Sequence, residues 1–246
     1  MSQILTFKTR VTSSDGTVKQ GNQSVLKEHR LKIYVNQRKA GELLCTDTDL
    51  EELSIGYLFN KGILDSADRI LRKELSEDHK VMDVRLSDGV EPYKMIPAEE
   101  RMKPLPKVTV EPAQIFRLAE EFLTETPLHK KSGGTHSCIL MYRGDIVYQV
   151  EDMGRHNAMD KVVGYMLLKH LDPKDCIVYT SGRVPVDMTE KAVLAGIPVL
   201  VSKAIPTVDS VRLAGEYGLH LIIRAWPDHF EEVDLSSMDD MEKNDE

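Results

Sequence analysis

Two glycine-led polar clusters dominate the sequence: SGGTHSC at residues 132–138 and EDMGRHNAMDK at residues 151–161. Between them, two apolar runs flank the turn Arg143-Gly144-Asp145. A tight turn between such runs predicts a β-hairpin that returns both clusters to the same end. That end collects eight polar or reactive side chains, so we place the candidate site there: His136, Cys138, Asp152, Arg155, His156, Asn157, Asp160 and Lys161.

After this hairpin the sequence alternates between helical and strand patterns. Apolar residues at helical spacing run from 159 to 167, and a strand is expected at 176–180. Further helices are expected near 188–195 and 208–214, with strands at 198–202 and 219–223. Such alternation predicts an α/β layered domain whose mixed sheet has a parallel portion.

The chain upstream of residue 90 has a different pattern, which predicts a small β-rich N-terminal domain over residues 1–90. Strands are expected at 31–35, 42–45, 70–75 and 81–86. A helix should open with a capping box at 48–51 and end at Gly62. Residues 1–30 are weakly patterned, with a hairpin turn at Asp15-Gly16 and a loop at 19–22.

A segment rich in proline and charge, residues 91–107, separates the two patterns and is predicted to be a linker. The α/β domain then spans 108–227 and starts with a helix from Pro112 that Pro127 ends. Residues 228–246 carry nine carboxylates against one lysine, which accounts for the whole net charge of −8. This end is predicted to be a disordered acidic tail, with partner binding as the alternative.

The rest of the chain is charge-balanced and offers no basic field for duplex nucleic acid. No apolar run approaches the roughly 20 residues that cross a bilayer, and the N-terminus does not resemble a signal peptide. Three cysteines without paired spacing fit a reducing compartment. The sequence therefore predicts a cytoplasmic protein with no membrane or nucleic-acid partner.

Ligands of open α/β sheets bind beyond the C-terminal ends of the strands. We expect residues 132–136, 151–161 and 180–183 to meet there, with Ser202-Lys203 at the rim. Gly133-Gly134 would let backbone amides approach an anion, and the helix start after Gly154 adds partial positive charge. Three cations would neutralise the anion: Arg155, Arg183 and Lys203. The pattern favours a nucleotide or dinucleotide pyrophosphate, although a Gly-Gly pair is also a common turn and neither a P-loop nor a dinucleotide fingerprint is present.

The histidines and the cysteine of this region have alternative roles. His136 and His156 could act as acid and base, bind a cofactor, or be structural histidines beside a carboxylate. His136 and Cys138 should share a strand face, so the thiol could be a nucleophile or sulfur carrier, or a small buried hydrophobe. The ligand set for a structural zinc or a zinc deaminase is incomplete, so no metal ligand is assigned.

These motifs resemble the FdhD/NarQ family of formate dehydrogenase accessory proteins. The resemblance rests on GGTH at 133–136, EDMGRHNAMDK at 151–161, TSGR at 180–183 and the segment 191–198, in that order. It extends more weakly to 44–46 and 52–64 and covers most of residues 31–230. The run D-x-G-R-H-N-A-x-D-K is its most specific element.

The resemblance implies a cytidine-deaminase-like α/β domain with a small N-terminal domain, usually in a homodimer. It implies binding of molybdenum (or tungsten) bis-molybdopterin guanine dinucleotide, with guanine nucleotide as a partial mimic, and transfer of sulfur from a cysteine desulfurase before the cofactor enters formate dehydrogenase. The candidate cofactor-binding set is Gly133, Gly134, His136, Asp152, Gly154, Arg155, His156, Asn157, Asp160, Lys161, Ser181, Gly182, Arg183, Lys203 and Arg224. The candidate catalytic residues are His136 and Cys138.

The chain departs from the family in two places. The family's sulfur-carrying C-x-x-C loop corresponds to about residues 86–107, which contain no cysteine. Its arginine- and glycine-rich segment near the C-terminus is replaced by residues 224–229, where Arg224 and the Trp226 face remain as contacts. The sequence thus predicts a formate dehydrogenase accessory protein that binds the cofactor and aids its sulfuration or delivery. The alternatives are sulfur transfer through Cys138 and a non-catalytic cofactor-binding paralogue.

Overall fold

The computed structural model describes residues 3–87, 95–124 and 126–234. Residues 91–94 of the predicted linker and residues 235–246 of the predicted acidic tail lie outside the described residues. No helix in the described ranges is long and apolar enough to span a bilayer.

The N-terminal end forms a two-stranded hairpin, of which the sequence predicted the turn but not the strands. Strand β1 (Ile4–Thr12) pairs antiparallel with β2 (Val18–Leu26), so the loop expected at 19–22 is wrong. The predicted turn is present: Gly16 has φ of +84°, and Asp15 accepts a hydrogen bond from the Thr17 N–H. Most side chains on both strands are exposed, which explains why no burial alternation marks them in the sequence.

A four-stranded sheet of order β4-β3-β6-β5 follows, made of β3 (His29–Val35), β4 (Arg38–Cys45), β5 (Ile70–Leu75) and β6 (Val81–Leu86). Leu31, Ile33 and Val35 alternate inward and pack against helix α1 (Leu50–Asn60). The capping-box prediction is wrong, because Asp49 takes a left-handed conformation (φ 51°) and no side chain caps α1.

Three short or amphipathic helices connect this sheet to the next: α2 (Ala98–Arg101), α3 (Pro112–Thr124) and α4 (Pro127–Ser132). Pro127 was expected to end α3, but it begins α4, where its missing N–H costs nothing. The buried Glu151 carboxylate accepts hydrogen bonds from the Leu128 and His129 N–H groups at 2.8 and 2.7 Å. It therefore stabilises the N-terminus of α4.

The second sheet has the order β12-β11-β10-β9-β7-β8. Its strands are β7 (His136–Tyr142), β8 (Asp145–Asp152), β9 (Cys176–Thr180), β10 (Val199–Ser202), β11 (His220–Ile223) and β12 (Glu231–Glu232). Strands β9, β10 and β11 are parallel, whereas β7 is antiparallel to β8 and β9. Arg143 and Gly144 both have positive φ in the β7–β8 turn, as a tight hairpin requires.

Helices α5 (Arg155–Leu168), α6 (Val186–Leu194) and α7 (Val208–Tyr217) pack with one face of this sheet in one apolar core. Helix α3 contributes Ile115, Leu118 and Phe122 to a separate core that contains residues of β7, β9 and β10. The mixed α/β class is therefore confirmed. The closer likeness to cytidine deaminases and the domain boundaries remain predictions.

Helices α1 and α5 cross in direct backbone contact. A Cβ on Gly56 would overlap the Asp160 carbonyl oxygen, and a Cβ on Gly164 would overlap that of Glu52. Only glycine allows two helices to approach this closely. The crossing joins the N-terminal sheet to the helix that begins at the candidate site.

Candidate functional site

The predicted segments meet at one edge of the second sheet. His136, the first residue of β7, pairs in register with Asp152, the last residue of β8. Ser181, just after β9, accepts a hydrogen bond from the Ser137 N–H through its Oγ at 2.9 Å. Ser202, the last residue of β10, donates from its hydroxyl to the Gly182 carbonyl at 2.9 Å. The edge therefore collects the ends of four strands and the start of α5.

The N-terminus of α5 is not capped by a side chain. Gly154 is its N-cap residue, and no side chain accepts from the first-turn N–H groups. Uncapped N–H groups and the helix dipole together favour an anion at this position. Asp152 Oδ1 accepts a hydrogen bond from the Gly154 N–H at 3.0 Å. The buried Asp152 side chain therefore stabilises the turn that leads into α5.

Arg155, the first residue of α5, packs against Gly182 and His136. A Cβ on Gly182 would lie 3.2 Å from Arg155 Cβ and 3.2 Å from His136 Nδ1. The absence of a side chain at 182 therefore leaves the guanidinium and the imidazole close to the backbone. The Nε of Arg155 is buried and has no hydrogen-bond partner among the described residues. A buried donor of this kind normally has a partner, so the atom indicates an anion or water beside it.

Two further cations lie beyond the same strand ends. Arg183 is exposed and forms no ion pair with any residue in the described part of the chain. Lys203 Nζ lies 5.1 Å from the Phe122 ring centroid and 4.6 Å from that of Trp226. These rings position the ammonium group without neutralising it. We refer to Arg155, Arg183 and Lys203 as the cationic edge, and the His136 imidazole lies beside Arg155.

Arg224, also predicted for the site, follows β11 on the same side of the sheet. It is exposed, has a left-handed backbone (φ 45°), and its Nη1 lies 3.4 Å from Glu231 Oε1. Arg224 therefore has a carboxylate neighbour, unlike the residues of the cationic edge, and its contact with a cofactor stays a prediction.

Burial lowers the pKa of His136 below its ordinary value of 6.5, and the nearby charge of Arg155 lowers it further. His129 and His156 act in the same direction, whereas Asp152 opposes them. The imidazole is therefore favoured in its neutral form at neutral pH. A bound anion would reverse this by stabilising the protonated form.

Three residues predicted to bind cofactor are turned inward. Asp152 and Lys161 have fully buried side chains with Oδ2 and Nζ 2.8 Å apart. Asn157 Nδ2 donates to Asp152 Oδ1 at 2.9 Å and to the Leu44 carbonyl at 2.7 Å. Thr46, which the site prediction did not include, donates to Asp152 Oδ2 from its N–H at 3.1 Å. These groups join β4 to the start of α5, so the structure shows a role in the fold for all three predicted residues, and their contact with a cofactor stays a prediction.

Asp160 and His156 lie on a different side of α5 from Arg155. Asp160 Oδ1 accepts from Lys191 Nζ at 2.5 Å and from Asn60 Nδ2 at 2.6 Å. His156 Nε2 lies 2.5 Å from Asp187 Oδ2. Asp187 and Lys191 on α6 were not predicted as site residues. Asp187 lies shortly after the TSGR motif in the sequence, and this proximity was a weak indication that it could belong to the site.

Gly133 and Gly134 are exposed beside α4. Gly133 has φ of +66°, and its N–H donates to the His129 carbonyl, as expected for the left-handed residue that ends a helix. Gly134 donates from its N–H to Ser132 Oγ at 3.1 Å. The structure therefore gives Gly133 a conformational role and leaves the cofactor contact of this pair a prediction.

Cys138 is completely buried in the core beneath α5 and α6. Burial raises the pKa of its thiol to about 12, which keeps it protonated at neutral pH. Cys45 and Cys176 are also buried, and burial raises the pKa of each to about 12. The structure supports the packing alternative for Cys138 over the predicted nucleophile or sulfur carrier. In the described ranges, no group of three or more histidine, cysteine or acidic side chains is arranged to hold a metal ion.

The chain is thus a mixed α/β protein whose cationic edge lies beyond the strand ends of its second sheet. The FdhD/NarQ family model matches residues 26–101 and 87–232, and the chain therefore belongs to this family. A sulfur carrier protein FdhD from Halalkalibacterium halodurans is 28% identical over 231 residues, covering 85% of this chain and 86% of the relative. The same protein from Staphylococcus aureus strain MRSA252 is 26% identical over 229 residues, covering 85% and 86%.

A solved structure shares the whole architecture. It is a crystal structure of a protein from Desulfotalea psychrophila, provisionally assigned as a formate dehydrogenase accessory protein. The two chains are 28% identical and superpose with a TM-score of 0.84, covering 94% of this chain and 96% of the other.

Proposed function

We propose that the chain is an accessory protein for formate dehydrogenase that binds the guanine-dinucleotide form of the molybdenum (or tungsten) cofactor and supports its sulfuration or delivery. The cationic edge carries this proposal, because Arg155, Arg183 and Lys203 follow the ends of neighbouring strands and have no carboxylate partners among the described residues. The names of the similar proteins supply the process: a sulfur carrier and a formate dehydrogenase accessory protein.

The residues present fit an anionic cofactor. The buried Nε of Arg155 is a hydrogen-bond donor without a partner among the described residues, and no side chain described here caps the first turn of α5. In this proposal Arg155 and the α5 N-terminus hold one phosphate group, while Arg183 and Lys203 bind neighbouring anionic oxygens. The cofactor would supply the metal centre, and this chain would bind and orient it.

The cysteines favour delivery of the cofactor over sulfur transfer by this chain. The sequence has three cysteines, all of them buried with protonated thiols at neutral pH. A persulfide carrier must instead expose a reactive thiolate to its donor and acceptor. This observation supports the second candidate, a cofactor-binding paralogue without sulfur transfer, in which a cysteine desulfurase is not a partner.

Complementation tests the proposed process. A strain that lacks its own gene of this family and expresses a formate dehydrogenase would receive the wild-type chain, the double variant Arg155→Ala/Arg183→Ala, or Arg143→Ala. Arg143 lies at the β7–β8 turn, at the far end of the strands, and pairs with Asp175, so it is a matched control. We expect wild type and Arg143→Ala to restore formate oxidation and the double variant not to. Equal activity with and without the wild-type chain would refute the proposal.

A further inference from the structure

A cavity separate from the cationic edge lies between α1 and α6, beside α5. Its volume is about 300 Å³, at the lower end of the range for small-molecule sites. Two adjacent residues of α5 face the two regions. Arg155 packs against Gly182 at the cationic edge, whereas His156 lines the cavity. The residues of the cationic edge do not line this cavity.

Among the residues that line the cavity are hydrogen-bond acceptors that receive no hydrogen bond from the described residues. Asn60 donates its amide to Asp160, but its own Oδ1 is buried and has no partner among the described residues. Asp187 Oδ1 is likewise buried without a partner, although Oδ2 lies 2.5 Å from His156 Nε2. His156 Nε2 itself lacks the alignment of a regular hydrogen bond with that oxygen. Buried acceptors left open in this way indicate a ligand that donates hydrogen bonds.

The charges around the cavity favour a cationic donor. Three carboxylates line it, from Asp160, Asp187 and Glu190, against the ammonium groups of Lys61 and Lys191 and the imidazole of His156. Lys191 is already paired with Asp160, His156 contacts Asp187, and Lys61 lies 5.9 Å from the Tyr57 ring centroid. Burial raises the pKa of Glu190, and the charges of Asp187 and Glu99 act in the same direction. The side chains of Leu43 and Leu194 complete an apolar wall.

We propose that this cavity binds a small organic cation of the alkylguanidinium or alkylammonium class. Its N–H groups donate to Asp187 Oδ1 and Asn60 Oδ1, its charge is balanced by Asp187 and Glu190, and its carbon chain packs against Leu43 and Leu194. The site does not depend on the cofactor contacts of the cationic edge.

Titration calorimetry with n-butylguanidinium and n-butylammonium tests the proposal on the full chain, with n-butylurea as the neutral probe of similar shape. We expect saturable binding of a cationic probe and none of n-butylurea. Asp187→Asn should weaken binding by about tenfold or more, because a charge-assisted hydrogen bond is lost. Glu190→Gln should weaken it as well. Asp209→Asn is the matched control, because Asp209 occupies the first turn of α7 as Asp187 occupies that of α6.

A second arm identifies the source of the cation. Acetyl-arginine methylamide carries the same guanidinium on a peptide backbone. Tighter binding than n-butylguanidinium would assign the cavity to an arginine side chain of a partner protein, and weaker binding would assign it to a free amine or guanidine. Circular dichroism of each variant confirms that it is folded. If Asp187→Asn does not fold, Glu190→Gln decides the question.

The proposal would be overturned if no cationic probe bound saturably, or if wild type, Asp187→Asn and Glu190→Gln bound the probe with equal affinity. Titration in the presence of GDP keeps this result separate from the proposed function. We expect the affinity for the cationic probe to stay the same when GDP is added, since the two sites are different. Loss of cation binding under GDP would place both ligands in one site and also contradict the proposal.

Discussion

Lys161 Nζ lies 2.8 Å from Asp152 Oδ2, and both side chains are fully buried where β8 leads into α5. Asp152 also receives hydrogen bonds from the Gly154 N–H and from Asn157 Nδ2 on its other oxygen. The pair therefore fixes the turn that presents Arg155 and the uncapped start of α5. This arrangement connects the stability of the fold to the geometry of the cationic edge.

Lys161→Met should strongly destabilise the protein, because it leaves the Asp152 carboxylate buried without its counter-charge. We expect the free energy of unfolding to fall by about 3–5 kcal/mol. Denaturant titration measures it, and Lys174→Met in the exposed pair with Asp172 is the control, for which little change is expected. The Asp152→Asn/Lys161→Met double variant should recover part of the loss. A loss no greater than in the control would contradict the account.

Gly56→Ala should separate α1 from α5, because the new methyl group would overlap the Asp160 carbonyl. Overpacking of this kind costs about 1–3 kcal/mol or more, which thermal or denaturant unfolding would detect. Gly134→Ala is the control, since its nearest contact would be 3.4 Å from Leu26 and the backbone there is not left-handed. Equal stability of the two variants would show that the close helix crossing is not required.

Lowering the pH should destabilise the free protein through His136. The folded-state pKa lies below the ordinary 6.5, so the unfolded chain binds more protons as pH falls past that value. Stability is thus retained above pH 6.5 and lost as pH falls from 6.5 towards the folded-state pKa. NMR titration of the ring should find that lower pKa, and His136→Gln should remove this part of the pH dependence. A ring that titrates above 6.5 in the free protein would contradict the prediction.

The three thiols should be unreactive in the native protein. Burial raises the pKa of Cys45, Cys138 and Cys176 to about 12, so iodoacetamide should label none of them until denaturant is added. After incubation with a cysteine desulfurase and cysteine, intact mass spectrometry should show no added sulfur. Added sulfur on Cys138 in the folded chain would restore the sulfur-transfer hypothesis.

Much of the fold was predictable, because burial leaves a periodic record in the sequence. The alternating residues of β3 and the apolar run of β9 identified strands within a residue or two of their observed bounds. The β1–β2 hairpin left no such record, since it packs few of its side chains. The capping pattern at residues 48–51 was misleading in a different way, because Asp49 takes a left-handed conformation that the residue types alone do not indicate.

The meeting of the predicted segments at one edge of the second sheet was predictable, but the direction in which each side chain points was not. Consecutive residues of α5 have different surroundings: Arg155 faces the strand ends, His156 lines a cavity, and Asn157 is buried against Asp152. The sequence motif alone does not distinguish these three roles, because each role depends on which element packs against that side of α5. Lys161 illustrates the limit, since a lysine is rarely buried and it is the contacts with Thr46, Asp152 and the Glu151 carbonyl that satisfy its ammonium group.

The most direct test of the central claim is the affinity of the chain for GDP, measured by titration calorimetry. We predict saturable binding to the wild type and to Arg143→Ala, with a loss of about tenfold or more in Arg155→Ala and in Arg183→Ala, because each removes a charge-assisted contact to phosphate. If the wild type does not bind GDP, or if both site variants bind it as tightly as Arg143→Ala does, the cationic edge is not the cofactor site.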